Sequence, residues 1–437
     1  MYWRTRRHPR TLENTEARVG GDLAAITMKL VNDTALISLP EHSRSAAVVV
    51  GIAFVLMMVD GYDMFIMSFV APLVARDLHL AAGRIGELFA AGLLGSMLGG
   101  LALGPIADRI GRQPIVLASL AVAGVSTFLC ARAQSFESFA ALRLLSGFAL
   151  GGLLAAVVPL VAEYFPPERR AGAVTSMFIG YPLGAVVGGA ITAVLLATNG
   201  WRTLFWGTGL LTLLVMPAAF LLRETLRAPV PVARERAEPV KGVPIVELFS
   251  EGRFWTTLIT SCGIFSLLLL AYLLNSWTPM IAVKAGLDPA TAALCGVFLN
   301  LGGVVGALLS IPVGRKFGVF KVAAVMVGVG SPAIVLIGRL FTSAGMLFGA
   351  LFVAGVLVIG GQQNSPAMAV LLYPQRMRAA GTGWQFGVGR LGSILGPIIG
   401  GYLLATGKPT HSLFLLMAAP AVLAAVCYGV VDRLRAP

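Results

Sequence analysis

Residues 95–112 read G-S-M-L-G-G-L-A-L-G-P-I-A-D-R-I-G-R, and residues 302–318, 207 positions on, read G-G-V-V-G-A-L-L-S-I-P-V-G-R-K-F-G. A second pair lies at nearly the same offset: G-Y-P-L-G-A-V-V-G-G from Gly180 and G-S-I-L-G-P-I-I-G-G from Gly392, 212 apart. Two separate stretches repeated at near-equal offsets mark a duplicated unit, each copy close to half of the chain. Parallel six-span repeats that sandwich a midplane site form a transporter architecture. Gly180, Gly184 and Gly188, like Gly392, Gly396 and Gly400, recur every four residues, so each set lines one helix face. Close packing of the small-xxx-small kind is favoured there over substrate contact.

Composition extends the same reading. The 437 residues are 57% hydrophobic and 12% charged, against about 25% charged in a typical soluble domain. Such a surface cannot all face water, which excludes a soluble globule, a disordered chain and a disulfide scaffold. Crossing a bilayer takes about 20 apolar residues. Twelve spans are predicted, at 46–74, 85–107, 113–132, 138–162, 172–197, 201–222, 254–282, 290–313, 319–340, 343–372, 380–405 and 411–431. The expected fold is an all-α polytopic membrane protein, with 12 transmembrane helices in two pseudo-symmetric six-helix bundles. The organisation expected is a tail at 1–45, a first bundle at 46–222, a linker at 223–253, a second bundle at 254–431 and a tail at 432–437. Residues 1–45 are polar, rich in arginine and too long to be an ordinary signal peptide, which predicts an uncleaved first span.

The net charge of +13 is explained by topology. Of the 33 Lys and Arg, 24 fall on the side that carries both termini, 7 on the other, and Arg143 and Arg390 inside spans. By the positive-inside rule both termini are cytoplasmic, and no nucleic-acid partner is needed to account for the basicity. Cys130, Cys262, Cys295 and Cys427 stand singly in apolar runs, and the four histidines form no ligand-like cluster. Neither a metal nor another cofactor is expected.

The informative residues are the ionisable ones inside apolar spans, which are costly there and need a cavity or a partner. Asp60 and Asp63, in V-D-G-Y-D-M-F, share a helix face at i, i+3 spacing. Two close carboxylates cannot both hold their charge cheaply, which suits proton coupling; a salt bridge to a neighbouring span is the structural alternative. Arg143 and Arg390 present planar forks that match a carboxylate bidentately. Arg143 aligns with Phe352 in the second copy, so the duplicated unit did not require an arginine there. Gln362, Gln363 and Asn364 interrupt the tenth span, where their amides can bind substrate or join helices. Tyr62, Phe65, Tyr181, Trp277, Trp384 and Phe386 are candidate walls of an aromatic pocket.

The stretch Gly104–Gln113, G-P-I-A-D-R-I-G-R-Q, closely resembles the signature loop of the major facilitator superfamily. The resemblance implies a conformational latch between bundles, formed by Gly104, Asp108, Arg109, Gly111 and Arg112 with Glu163. In the second copy Arg315 stands at the aspartate position. Nearly the whole chain after residue 45 is similar to the aromatic acid:proton symporter family. The carriers of that likeness are D-G-Y-D at 60–63, Arg143 with Gly147, Gly151 and Gly152, and E-Y-F-P at 163–166. M-F-I-G-Y-P-L-G-A at 177–185, N-S-W-T-P at 275–279 and A-G-T-G-W-Q-F-G-V-G-R-L-G-S-I-L-G-P at 380–397 complete them. Where the family commonly has Pro-Asn, this chain has Ala155-Ala156. The resemblance implies proton-coupled uptake of a benzoate-like or hydroxybenzoate-like acid across a bacterial inner membrane, by a carrier expected to work as a monomer. Arg143, Arg390, Gln362, Asn364, Tyr62, Trp384, Phe386 and Tyr181 are the substrate-site candidates, and Asp60 and Asp63 the proton site. The alternatives are a carrier of another small organic acid, a drug:proton antiporter and, last, a membrane sensor or enzyme. No nucleophile–base cluster, nucleotide loop or soluble output domain stands in the sequence to support the last.

Overall fold

A computed structural model describes residues 41–196, 198–222, 245–340, 343–374 and 377–435. The expected tail over 1–40 and the linker over 223–244 lie outside the described residues. The described residues from Val49 onward form one compact unit. Twelve helices are long and apolar enough to cross a bilayer. They are α1 Ala46–Asp77, α2 Ala82–Ile110, α3 Arg112–Cys130, α4 Phe136–Glu163, α5 Gly172–Leu196 and α6 Trp201–Ala219. The second six are α7 Phe254–Lys284, α8 Pro289–Ser310, α9 Val319–Ile337, α10 Ala344–Gln362, α11 Ala380–Ala405 and α12 Thr410–Arg435. They form two pseudo-symmetric six-helix bundles.

The duplication is visible in backbone detail. Gly111 ends α2 at φ 107° and Gly318 ends the helix carrying α8 at φ 91°. Each closes its helix with an N–H bond to the carbonyl four residues back, Ala107 and Gly314. Only glycine adopts such a φ without strain, so the glycine of the motif is what permits the tight turn into the next span. The glycine ladders repeat as well. A Cβ at Gly180 or Gly184 would collide with the Phe54 or Met58 carbonyl of α1, and one at Gly392 or Gly396 with Phe265 or Leu269 of α7. The third rung of each ladder lies under an aromatic ring, Gly188 under Tyr62 and Gly400 under Trp277. These ladders pack α5 on α1 and α11 on α7.

The tenth span departs from expectation. A continuous helix was expected over 343–372, but α10 widens into a π-helical turn at Gly355–Ile359 and ends at Gln362. A separate short helix, Ser365–Leu372, follows. Pro366 in its first turn lacks an N–H and cannot continue the preceding helix. The cysteines also differ from their isolation in sequence: Cys427 of α12 packs on α7 beside Cys262, since a Cβ at Gly263 would stand 3.1 Å from the Cys427 Cβ. Asp288 caps α8 by accepting from the Thr291 N–H at 2.9 Å. Hydrogen bonds from Thr291 hold its exposed carboxyl below the usual carboxylate range.

The two halves meet where α2 packs on α11 and α5 on α8. A Cβ at Gly86 would meet Pro397, one at Gly401 would meet Ala82, and one at Gly189 would meet Val297. Phe89 of α2 sets its edge on Trp277 of α7, with ring centroids 5.7 Å apart. All of these contacts lie in the half of the membrane span remote from the Gly104–Gln113 loop. The bundles are therefore clamped together at the far face, and the site lies just inside the clamp.

Candidate functional site

Asp63 of α1 and Arg143 of α4 form a buried ion pair, Nη1 to Oδ2 at 3.1 Å, with both side chains about 3% exposed. The other Asp63 oxygen accepts from the Thr127 hydroxyl of α3 at 2.5 Å, and Arg143 Nη2 donates to the Asp63 backbone carbonyl at 3.1 Å. Three spans thus converge on one carboxylate. Gly92 leaves the room: a Cβ there would stand 3.4 Å from the guanidinium. Sequence alone left open whether Arg143 reaches the membrane surface; the structure buries it. Its Nε has no hydrogen-bond partner among the described residues.

Asp60, one turn from Asp63, is equally buried but makes no hydrogen bond or ion pair among the described residues. It lies within electrostatic reach of Asp63 and of Arg390 on α11. Arg390 crosses the bundle interface and donates from Nη2 to the Ser96 hydroxyl of α2 at 2.8 Å. No carboxylate lies within ion-pair distance of Arg390 among the described residues. The two arginines are therefore unlike: one is neutralised inside the first bundle, the other stands unpaired between bundles.

Beside these charges is a narrow cavity between the halves, lined by Phe65 and Ser68 of α1, Phe89 of α2, Arg143, and Tyr272 and Ser276 of α7. It has room for roughly one water molecule, so an aromatic ring enters only when the bundles part. Phe65 meets the edge of Tyr181 at 5.7 Å and stacks on Tyr272 at 6.2 Å. The Tyr181 and Tyr272 hydroxyls approach to 3.4 Å across the interface. Phe65 and Tyr181 were candidates from sequence. Tyr272 and Ser276 were not, and their i, i+4 spacing on α7 beside N-S-W-T-P was the available signal.

Five of the expected substrate residues stand elsewhere. Phe386 is 52% exposed on the outside of α11, where an aromatic faces lipid. Trp384 donates to the Ser261 hydroxyl at 3.0 Å and packs against Phe249, at the loop end of the second bundle. Asn364 donates to the Gly361 carbonyl at 3.2 Å and lies beside Gly314. Gln362 ends α10 close by. Tyr62 is wedged between α1 and α5, its hydroxyl 3.2 Å from that of Thr192. The glycine ladder holds Tyr62 in packing, and the α10 break sets Gln362 and Asn364 away from the cavity.

At the loop face Arg112 bridges Glu163 at 2.6 Å and Asp108 at 3.5 Å. These contacts join α2, α3 and α4 within the first bundle, whereas the resemblance implied a latch between bundles. Arg109 is exposed, and Gly104 faces Ala155 of α4. Among the described residues no three of His, Cys, Asp and Glu cluster as metal ligands would.

A family model described as Major Facilitator Superfamily matches residues 53–343. The gallate transporter of Pseudomonas putida is 32% identical over 400 residues, covering 86% of this chain and 89% of its own. The 4-hydroxybenzoate transporter PcaK of Acinetobacter baylyi is 30% identical over 430 residues, covering 91% and 92%. The benzoate transport protein of the same organism is 27% identical over 440 residues, covering 93% and 92%. Among solved structures, a bacterial homologue of the human lysosomal transporter Spinster, inward-facing and unoccupied, superimposes with a TM-score of 0.70 at 19% identity. That match covers 89% of this chain and 97% of the other. With twelve spans in two pseudo-symmetric bundles and a family match over most of the first and part of the second, the chain belongs to the major facilitator superfamily and is a multi-pass membrane transporter, not an enzyme.

Proposed function

We propose that the chain imports a small aromatic carboxylate together with a proton, by alternating access across a bacterial inner membrane, working as a monomer with both termini cytoplasmic. The observation that carries this reading is Arg390, a guanidinium at the bundle interface with a hydroxyl partner and no carboxylate. Such a cation is a ready partner for an organic anion, and its fork matches a carboxylate bidentately. Tyr181, within electrostatic reach of it, and Phe65 packed against Tyr181 supply flat apolar walls for a ring. Gallate, benzoate and 4-hydroxybenzoate, the compounds in the relatives' names, are all of this chemistry.

In the proposed cycle Asp60 carries the proton. Asp63 is held by Arg143 and Thr127, so its charge is already balanced, while Asp60 is not engaged. When the anion reaches Arg390 it removes the positive charge nearest Asp60, and a proton on Asp60 restores neutrality. Linkage makes the effect reciprocal, so proton and acid favour each other's binding. The test is uptake of labelled 4-hydroxybenzoate and benzoate by cells expressing the chain. The parent should accumulate at least one of them, and Arg390→Ala should lower uptake at least tenfold at equal membrane abundance. Lysine, a point charge without the fork, should restore only part of it. Parental uptake by Arg390→Ala would remove Arg390 from the site.

A further inference from the structure

We propose that Ser276 of α7 and Ser68 of α1 form a hydroxyl-reading end of the cavity that selects ring-hydroxylated aromatic acids over unsubstituted ones. This rests on the aromatic-carboxylate reading and adds to it which acids are preferred and which side chains decide. A buried serine in a helix ordinarily returns its hydrogen to the carbonyl a turn earlier. On α7 itself Ser261 donates to Thr257 and Thr278 to Leu274, each at 2.7 Å. Ser276 does not. It is 4% exposed, it lines the cavity, and its hydroxyl has no hydrogen-bond partner among the described residues. Ser68, facing it from the first bundle, is 2% exposed, lines the same cavity and is likewise without a partner there.

Two buried hydroxyls aimed into one cavity from opposite bundles are costly unless something pairs with them. Tyr272, one turn from Ser276, stands nearer the charges: its hydroxyl is 3.4 Å from that of Tyr181, which lies within electrostatic reach of Asp60 and Arg390. The two serines lie at the end of the site away from Arg390. Asp60, in reach of Arg390, and Ser68 are eight residues apart on α1, roughly 12 Å along the axis at 1.5 Å per residue. An acid with its carboxylate on Arg390 and its ring against Phe65 points the opposite edge of the ring at these hydroxyls. A ring hydroxyl there donates and accepts; a bare C–H leaves the serines unpaired. A site built to bond a substrate hydroxyl rejects the analogue that lacks it more strongly than an apolar pocket can.

The experiment measures inhibition of labelled 4-hydroxybenzoate uptake by unlabelled 4-hydroxybenzoate and, separately, by benzoate, and takes the ratio of the two inhibition constants within each variant. The parent should favour the hydroxylated acid by about tenfold. Ser276→Ala should lower that ratio about three- to tenfold, and Ser68→Ala should lower it in the same direction. A ratio taken within one variant is insensitive to how much of it folds. Thr278→Ala, which removes a hydroxyl bonded to its own helix, should keep the parental ratio. Equal preference in the parent, or a ratio that Ser276→Ala and Ser68→Ala leave unchanged, overturns the proposal while the aromatic-carboxylate reading stands. An equal fall in Thr278→Ala also overturns it. A parent that transports neither acid overturns both.

Discussion

At the residue scale, what decides the chemistry is which charges are paired. Sequence reading isolated Asp60, Asp63, Arg143 and Arg390 because ionisable groups in apolar spans stand out. It could not tell one aspartate from the other, since i, i+3 spacing places both on one face. The structure separates them through Thr127 and Arg143, partners on other helices that no local pattern announces. The same limit explains Trp384 and Phe386, which sit in a family-like stretch but point to packing and to lipid. Removing one partner of a buried pair leaves an uncompensated charge, a cost of about 3–5 kcal/mol. Asp63→Ala should therefore lower thermal stability in detergent by several degrees. The double replacement Asp63→Ala with Arg143→Ala should recover much of the loss. A double variant no more stable than Asp63→Ala would mean that the pair is not what holds these spans.

At the scale of elements, apolar runs of about 20 residues placed the twelve spans, and the offset between two glycine-rich stretches revealed the duplication. Gly111 and Gly318 turn in the same way because the motif's glycine is fixed by backbone geometry rather than by distant contacts. The break after α10 had a signal in Gln362, Gln363, Asn364 and Pro366, which interrupt the apolar run, but the expected span still ran through them to residue 372. A side chain at Gly184 would displace the Met58 carbonyl, and overpacking of this kind costs about 1–3 kcal/mol or more. Gly184→Leu should reduce folded protein sharply, while Gly172→Ala, which meets open space, should not; equal yields would refute backbone contact between α1 and α5. The latch belongs to this scale too. Asp108 is 68% exposed and its link to Arg112 is long at 3.5 Å, so it contributes little to stability. Asp108→Asn should slow turnover several-fold with substrate affinity within about twofold of the parent. Lost affinity at unchanged turnover would contradict a conformational role.

At the scale of the whole molecule, α2 meets α11 and α5 meets α8 toward the far face, and the proposed anion and proton sites lie at that seam. Opening one face while closing the other needs the seam to part, and the narrow cavity fits a state in which the far face is shut. One monoanion carried with one proton moves no net charge, so the pH gradient alone drives it, at about 1.4 kcal/mol per unit. Accumulation should then approach tenfold per pH unit and be insensitive to membrane potential. Exchange of labelled for unlabelled acid at equal pH needs no net proton movement, and this separates binding from coupling. The most direct measurement reconstitutes the parent and Asp60→Asn in vesicles and compares exchange with uphill uptake under an imposed pH gradient. Asp60→Asn, fixed in a neutral form, should exchange labelled 4-hydroxybenzoate yet fail to concentrate it. Uphill accumulation by Asp60→Asn equal to that of the parent would contradict the account.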